Sequence, residues 1–153
     1  MAPLNVEEFT RAADGEASYR PLAERLARDA VATAEHGGLT VADGYALAKS
    51  DREVLAAQAR APDHLFRVKA AYTGGVDGCV DDVIALTRPW NVDVGSIRVP
   101  VSIWYGPDDV LCPRGHTDWL LRHIPGAEPH ELPGGHVLDQ NDLHRLYEWL
   151  LKR

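Results

Sequence analysis

Between Val99 and Tyr105 the sequence reads VPVSIWY, a short and nearly continuous apolar run rich in β-branched and aromatic residues. That is the pattern of a strand buried in a parallel sheet. The remaining strand signal is weaker: Glu128 to Leu132 (EPHEL) is short and polar, and Pro129 suits a sheet edge. A helix over about His116 to Ile124, broken by Pro125-Gly126, lies between them. Strand, helix and strand in that order form a βαβ unit with a right-handed crossover. Two strands are too few for a stable sheet, so further strands must come from elsewhere or helices must substitute for them.

The rest of the chain is predicted helical. A final helix over about Asn141 to Lys152 places Leu143, Leu146, Tyr147, Leu150 and Leu151 in one apolar stripe. Before Trp90, short helices follow one another. Asn5 with Glu8 has the form of a capping box opening a helix to about Ala13. Pro21 starts a helix to Glu35, closed by Gly37-Gly38, with Leu22, Leu26, Ala30 and Ala34 along one face. Thr40 caps a helix to about Lys49, and Ser50 with Glu53 forms another capping box for a helix to Arg60. Pro62 starts a further helix closed by Gly74-Gly75. A last one, Asp77 to Thr87, turns Val80, Val83, Ile84 and Thr87 inward. The fold class is α/β, with a helical segment over 1–89 and a strand–helix–strand–helix unit over 90–153.

Composition narrows the partners. A net charge of −7 spread along the chain, with no basic stripe, disfavours nucleic acid and anionic membrane. No apolar run is long enough to cross a bilayer, and the N-terminus lacks the pattern of a secretory signal, so the expectation is a cytoplasmic protein. Cys79 and Cys112 lie far apart, and neither forms a zinc-spaced cluster; both read as inert thiols. No metal or cofactor is expected. Trp90, Trp104, Trp119 and Trp149 read as core or interface anchors, and His116, His123, His130 and His144 as surface or packing residues.

Chemistry concentrates in two loops. Parallel sheets place their sites beyond the carboxyl ends of the strands. Two loops leave such ends, Gly106–Pro113 (GPDDVLCP) and Leu132–Leu138 (LPGGHVL), and in a parallel pair they open at the same edge. Asp109 and His136 are therefore expected to be neighbours. Asp108, one residue earlier, competes with Asp109 as the acid.

The segment from Arg88-Pro89-Trp90 through GPDDVLCP to LPGGHVL resembles the end of a bacterial α/β-hydrolase. In that family a strand ending in a G-x-x-D turn carries the catalytic acid, which matches Asp109 in Gly106-Pro107-Asp108-Asp109. A G-x-H turn carries the catalytic base, which matches His136. The order acid then histidine agrees with the family order. Asp81-Asp82 before Arg88-Pro89-Trp90 looks like the helix entering the penultimate strand, and the helices of 1–76 loosely resemble the inserted cap. The resemblance implies a partial α/β-hydrolase fold and a Ser–His–Asp acyl transfer on an ester or amide. His136 would move the proton, and Asp109 would orient the imidazole.

The nucleophile is the departure. None of the four serines (Ser18, Ser50, Ser96, Ser102) sits in G-x-S-x-G, and no oxyanion loop precedes them. Ser18 and Ser50 fall at helix starts, Ser96 in a loop and Ser102 in a strand. Cys112, on the acid's own loop, is expected on the wrong side of the histidine. The expectation is thus a truncated hydrolase, inactive by itself, whose complete form takes a small acyl substrate. The alternative is a non-catalytic assembly module, a homo-oligomer formed through the exposed strand 99–105 or the cap helices. The helices of 1–89 could also hold a small apolar molecule, though nothing in the sequence specifies one.

Overall fold

The computed structural model describes residues 3–38 and 45–152. Its elements are helices α1 (Pro3–Asp14), α2 (Glu16–Glu35), α3 (Lys49–Ala59), α4 (His64–Ala71) and α5 (Asp77–Leu86), strand β1 (Ser102–Tyr105), helix α6 (Arg114–His123), strand β2 (Glu128–Glu131) and helix α7 (Gln140–Leu151). A single turn of 3-10 helix, Val94–Ser96, precedes β1. The fold is mixed helix and strand, consistent with a partial α/β architecture. No helix among the described residues is long and apolar enough to cross a membrane.

Two compact units form. One comprises residues 1–46 and 55–91, the other 47–54 and 92–153. In the first, α2 supplies the centre. Tyr19, Leu22, Ala23, Ala27, Ala30 and Ala34 are its buried residues, close to the face predicted from the spacing of four. Tyr19, Leu22, Ala23 and Ala27 of these cluster with Ala12 of α1, Val76 and Val80, with Val83 and Ile84 of α5 packed alongside. Small alanines let the helices approach closely, and Tyr19 fills the volume they leave. Its hydroxyl donates to Glu8 Oε1 at 2.9 Å, and Tyr45 donates to the other oxygen of the same carboxylate. Burial, and then the Glu8 carboxylate, push both phenols well above their ordinary range.

Several helix starts differ from the sequence expectation, each for a local reason. α1 begins at Pro3, whose fixed φ and missing N–H suit a first turn, so Asn5 is inside the helix and buried rather than a cap. α2 begins at Glu16, directly after Gly15 in a positive-φ conformation, and runs through Pro21. Half of the helix expected over Thr40 to Lys49, residues 40–44, lies outside the described residues; 45–48 are not helical, and Lys49 opens α3. Ser50 is therefore within α3. One half of a box forms two residues earlier: Asp51, at the third helical position, accepts from the N–H of Ala48 at 3.1 Å, while alanine at 48 has no side chain to return the bond.

In the second unit β1 and β2 pair in parallel, Ser102 opposite Glu128 and Tyr105 opposite Glu131. The two strands form a two-stranded sheet. For that reason VPVSIWY is not the buried strand its composition suggests. All four residues of β1 are half-buried and Val99 is exposed. The predicted stripe on α7 is equally uncovered, with Tyr147, Leu150 and Leu151 exposed. Of the tryptophans, Trp104 stacks on His130 at 4.3 Å and Trp149 meets the edge of the same ring at 6.2 Å, while Trp90 and Trp119 are exposed rather than core residues. α7 opens with a complete capping box: Asp139 accepts from the N–H of Asp142 at 2.8 Å, and Asp142 accepts from that of Asp139 at 3.2 Å.

Candidate functional site

Parallel pairing sends the chain out of β1 and β2 at the same edge, which brings the two loops together. The contact is tight. Asp108 donates its N–H to Gly134 O at 2.9 Å, and Leu132 donates to Tyr105 O at 2.9 Å. A Cβ on Gly106 would overlap the carbonyl groups of Gly134 and Gly135, so the first loop can lie on the second only because residue 106 has no side chain.

This approach joins Asp109 to His136. Asp109 Oδ2 lies 3.0 Å from His136 Nδ1. A carboxylate can only accept, so Nδ1 carries the proton, and in the neutral imidazole Nε2 then holds the lone pair. The other carboxylate oxygen, Oδ1, accepts from the N–H groups of Leu111 and Cys112, each at 2.8 Å. Three hydrogen bonds thus fix the orientation of the carboxylate. The side chain of Asp109 is 9% exposed and that of His136 44%, so the acid is held inside the loop while the imidazole faces outward. Asp108 is exposed, and its backbone, not its carboxylate, makes the bond to the second loop.

The histidine loop has a second support that sequence reasoning missed. Asp51 on α3 is fully buried and accepts from Val137 N–H at 2.8 Å through Oδ1, while Oδ2 holds Ala48. A Cβ on Gly135 would press against the same carboxylate. Asp51 thereby ties the start of α3 to the residue following His136. Nothing around SDRE in the sequence signals this, because the partner lies 86 residues away.

Cys112 also lies close to this pair. The carboxylate's grip on the N–H groups of Leu111 and Cys112 curls the loop back, so Cys112 sits beside the histidine. One ligand-type atom from each of Asp109, Cys112 and His136 lies within 4.8 Å of the others. Partial burial, and then the Asp109 charge, raise the Cys112 thiol, which keeps it protonated and poorly nucleophilic at neutral pH.

Among the described residues no serine hydroxyl is hydrogen-bonded to His136. Ser102 Oγ accepts from Trp104 Nε1 at 2.7 Å, and Ser96 Oγ donates to Asp93 O at 2.7 Å. Ser50 Oγ is buried without a partner.

The chain is similar to the mouse serine hydrolase BPHL, 35% identical over 60 residues, which is 37% of this chain and 21% of that protein. This chain therefore spans about a fifth of that relative's length. No protein-family model and no solved structure matches the chain. The partial similarity points toward the hydrolases and goes no further.

Proposed function

We propose that this chain carries the acid and base of a serine-type α/β-hydrolase. Asp109 orients His136, and His136 Nε2 takes the proton from a serine hydroxyl and returns it to the leaving group. The serine is not among these residues, so the complete site, which cleaves an ester or amide of a small acyl substrate, draws its nucleophile and oxyanion donors from another polypeptide segment. The observation that carries the reading is the 3.0 Å pair between Asp109 Oδ2 and His136 Nδ1, with Oδ1 pinned by two backbone N–H groups. That arrangement leaves the outer imidazole nitrogen free to act, as a triad requires.

The pair is tested by proton NMR. A strongly downfield Nδ1–H resonance is expected in the wild type and is lost in Asp109→Asn; a resonance that persists in the variant breaks the pairing. The nucleophile is tested by incubating the chain with p-nitrophenyl acetate and a fluorophosphonate probe beside His136→Ala. The reading expects neither His136-dependent turnover nor an adduct. An adduct lost in His136→Ala would place the nucleophile inside the chain and overturn the shared site.

A second reading has its own support. Among the described residues β1 and β2 form a two-stranded sheet, and α7 exposes Tyr147, Leu150 and Leu151. Unpaired edges and apolar faces favour association, which fits a non-catalytic module that oligomerises through the strand over 99–105 or the helices of 1–89. A monomeric mass by light scattering across a wide concentration range excludes it.

A further inference from the structure

We propose that Asp109, Cys112 and His136 form a binding site for a thiophilic divalent cation of the zinc class, and that the cation blocks the imidazole. The three ligand atoms lie within 4.8 Å of one another. Atoms so grouped share a point no more than about 2.8 Å from each, against zinc bonds of about 2.0–2.3 Å, so side-chain shifts of under about an ångström complete the first three bonds. Two of the ligands share one loop, and the third is already in contact with it, so little chain entropy is lost on closure. The donor set is one thiolate, one imidazole and one carboxylate. Such a set selects zinc, cobalt or cadmium over magnesium or calcium, which prefer oxygen alone. Cys112 and His136 are exposed, which gives the ion an entry path and leaves a fourth position for water.

Binding and base catalysis exclude one another. If the ion takes His136 Nδ1, the proton shared with Asp109 must leave and the orienting hydrogen bond is lost. If it takes Nε2, the atom that would accept the serine proton is occupied. In either case the Cys112 thiol gives up its proton to solvent as the sulfur–metal bond forms, with no change of oxidation state. The blocking consequence rests on the hydrolase reading; the metal site itself does not.

The test uses the full chain carrying Cys79→Ser, since Cys79 is a second exposed thiol. Titration with Co²⁺ should give a thiolate-to-cobalt charge-transfer absorption that saturates at one ion per chain and disappears on adding Zn²⁺, but not Mg²⁺. Cys112→Ser should abolish the band. His136→Gln and Asp109→Asn should each weaken binding by at least about tenfold. The absence of the band, or a band unchanged in His136→Gln and Asp109→Asn, overturns the site. Circular dichroism of each variant separates a lost ligand from a lost fold. The downfield Nδ1–H resonance, followed in the same samples, keeps the two readings apart. Its loss in the metal-free wild type would count against the acid–base pair and leave metal binding to be judged on the cobalt band.

Discussion

Replacing Asp51 with alanine removes a fully buried carboxylate that accepts two backbone N–H groups, Val137 at 2.8 Å and Ala48 at 3.1 Å. A hydrogen bond to a charged group contributes about 1.5–3 kcal/mol, and an orphaned buried donor adds its desolvation cost. Against this stands the cost of burying the carboxylate, which alanine avoids. The net expectation is a loss of about 2–4 kcal/mol, a large part of the roughly 5–15 kcal/mol that holds a domain folded. Because the chain forms two units, the local readout is the sharper one. Hydrogen exchange at the Val137 amide should accelerate about 10- to 100-fold in Asp51→Ala. Urea unfolding should show the loss in stability, with Asp118→Ala as a control. Asp118 pairs with Arg114 at the surface and should cost less than about 1 kcal/mol. Asp51→Asn should fall between, since its amide keeps one acceptor and turns a donor toward a donor. The reasoning fails if Asp51→Ala is no worse than Asp118→Ala, or if Val137 exchange is unchanged.

Two other expectations follow from the loops. Gly106→Ala sets a methyl group against the backbone carbonyls of Gly134 and Gly135, which cannot swing aside as a side chain could; a loss of about 3 kcal/mol, seen in thermal melts together with loss of the downfield Nδ1–H resonance, is expected. Cys112 should alkylate slowly with iodoacetamide at pH 8 in the Cys79→Ser background, because burial and the Asp109 charge raise its pKa and thus deplete the thiolate. Its rate should keep climbing above the pH at which a free thiol levels off. Asp109→Asn should bring that rise to lower pH, and a profile that matches free cysteine in both proteins would contradict the assignment.

Much of the chain was legible from sequence, and the failures share a cause. Most helices followed from periodicity and from Gly and Pro punctuation, because those signals act within one or two turns, but the one expected to reach Lys49 is not helical over 45–48. The inward faces of α2 and α5 were readable for the same reason. The helix starts slipped, at Asn5 and at Ser50, because a cap is a side-chain choice among nearby candidates; in α3 it is Asp51 that holds the helix start. Burial of VPVSIWY was misjudged since composition reports what a strand can tolerate, not how many neighbours it has. That the two loops meet was foreseeable from topology alone, as two loops leaving parallel strands must share an edge, but the choice between Asp108 and Asp109 as the partner of His136 was not.

What the sequence determined by itself, then, is the set of local elements and the two loops that carry reactive side chains. Local hydrogen bonding and apolar spacing specify these without reference to distant residues. The tertiary structure decided which carboxylate meets the imidazole, that Cys112 turns toward it, and that Asp51 supports the histidine loop from 86 residues away. Those outcomes depend on loop backbones closing onto one another over Gly106 and Gly135. Such long-range fits are set by three-dimensional volume and hydrogen-bond satisfaction, which have no local trace in the order of residues.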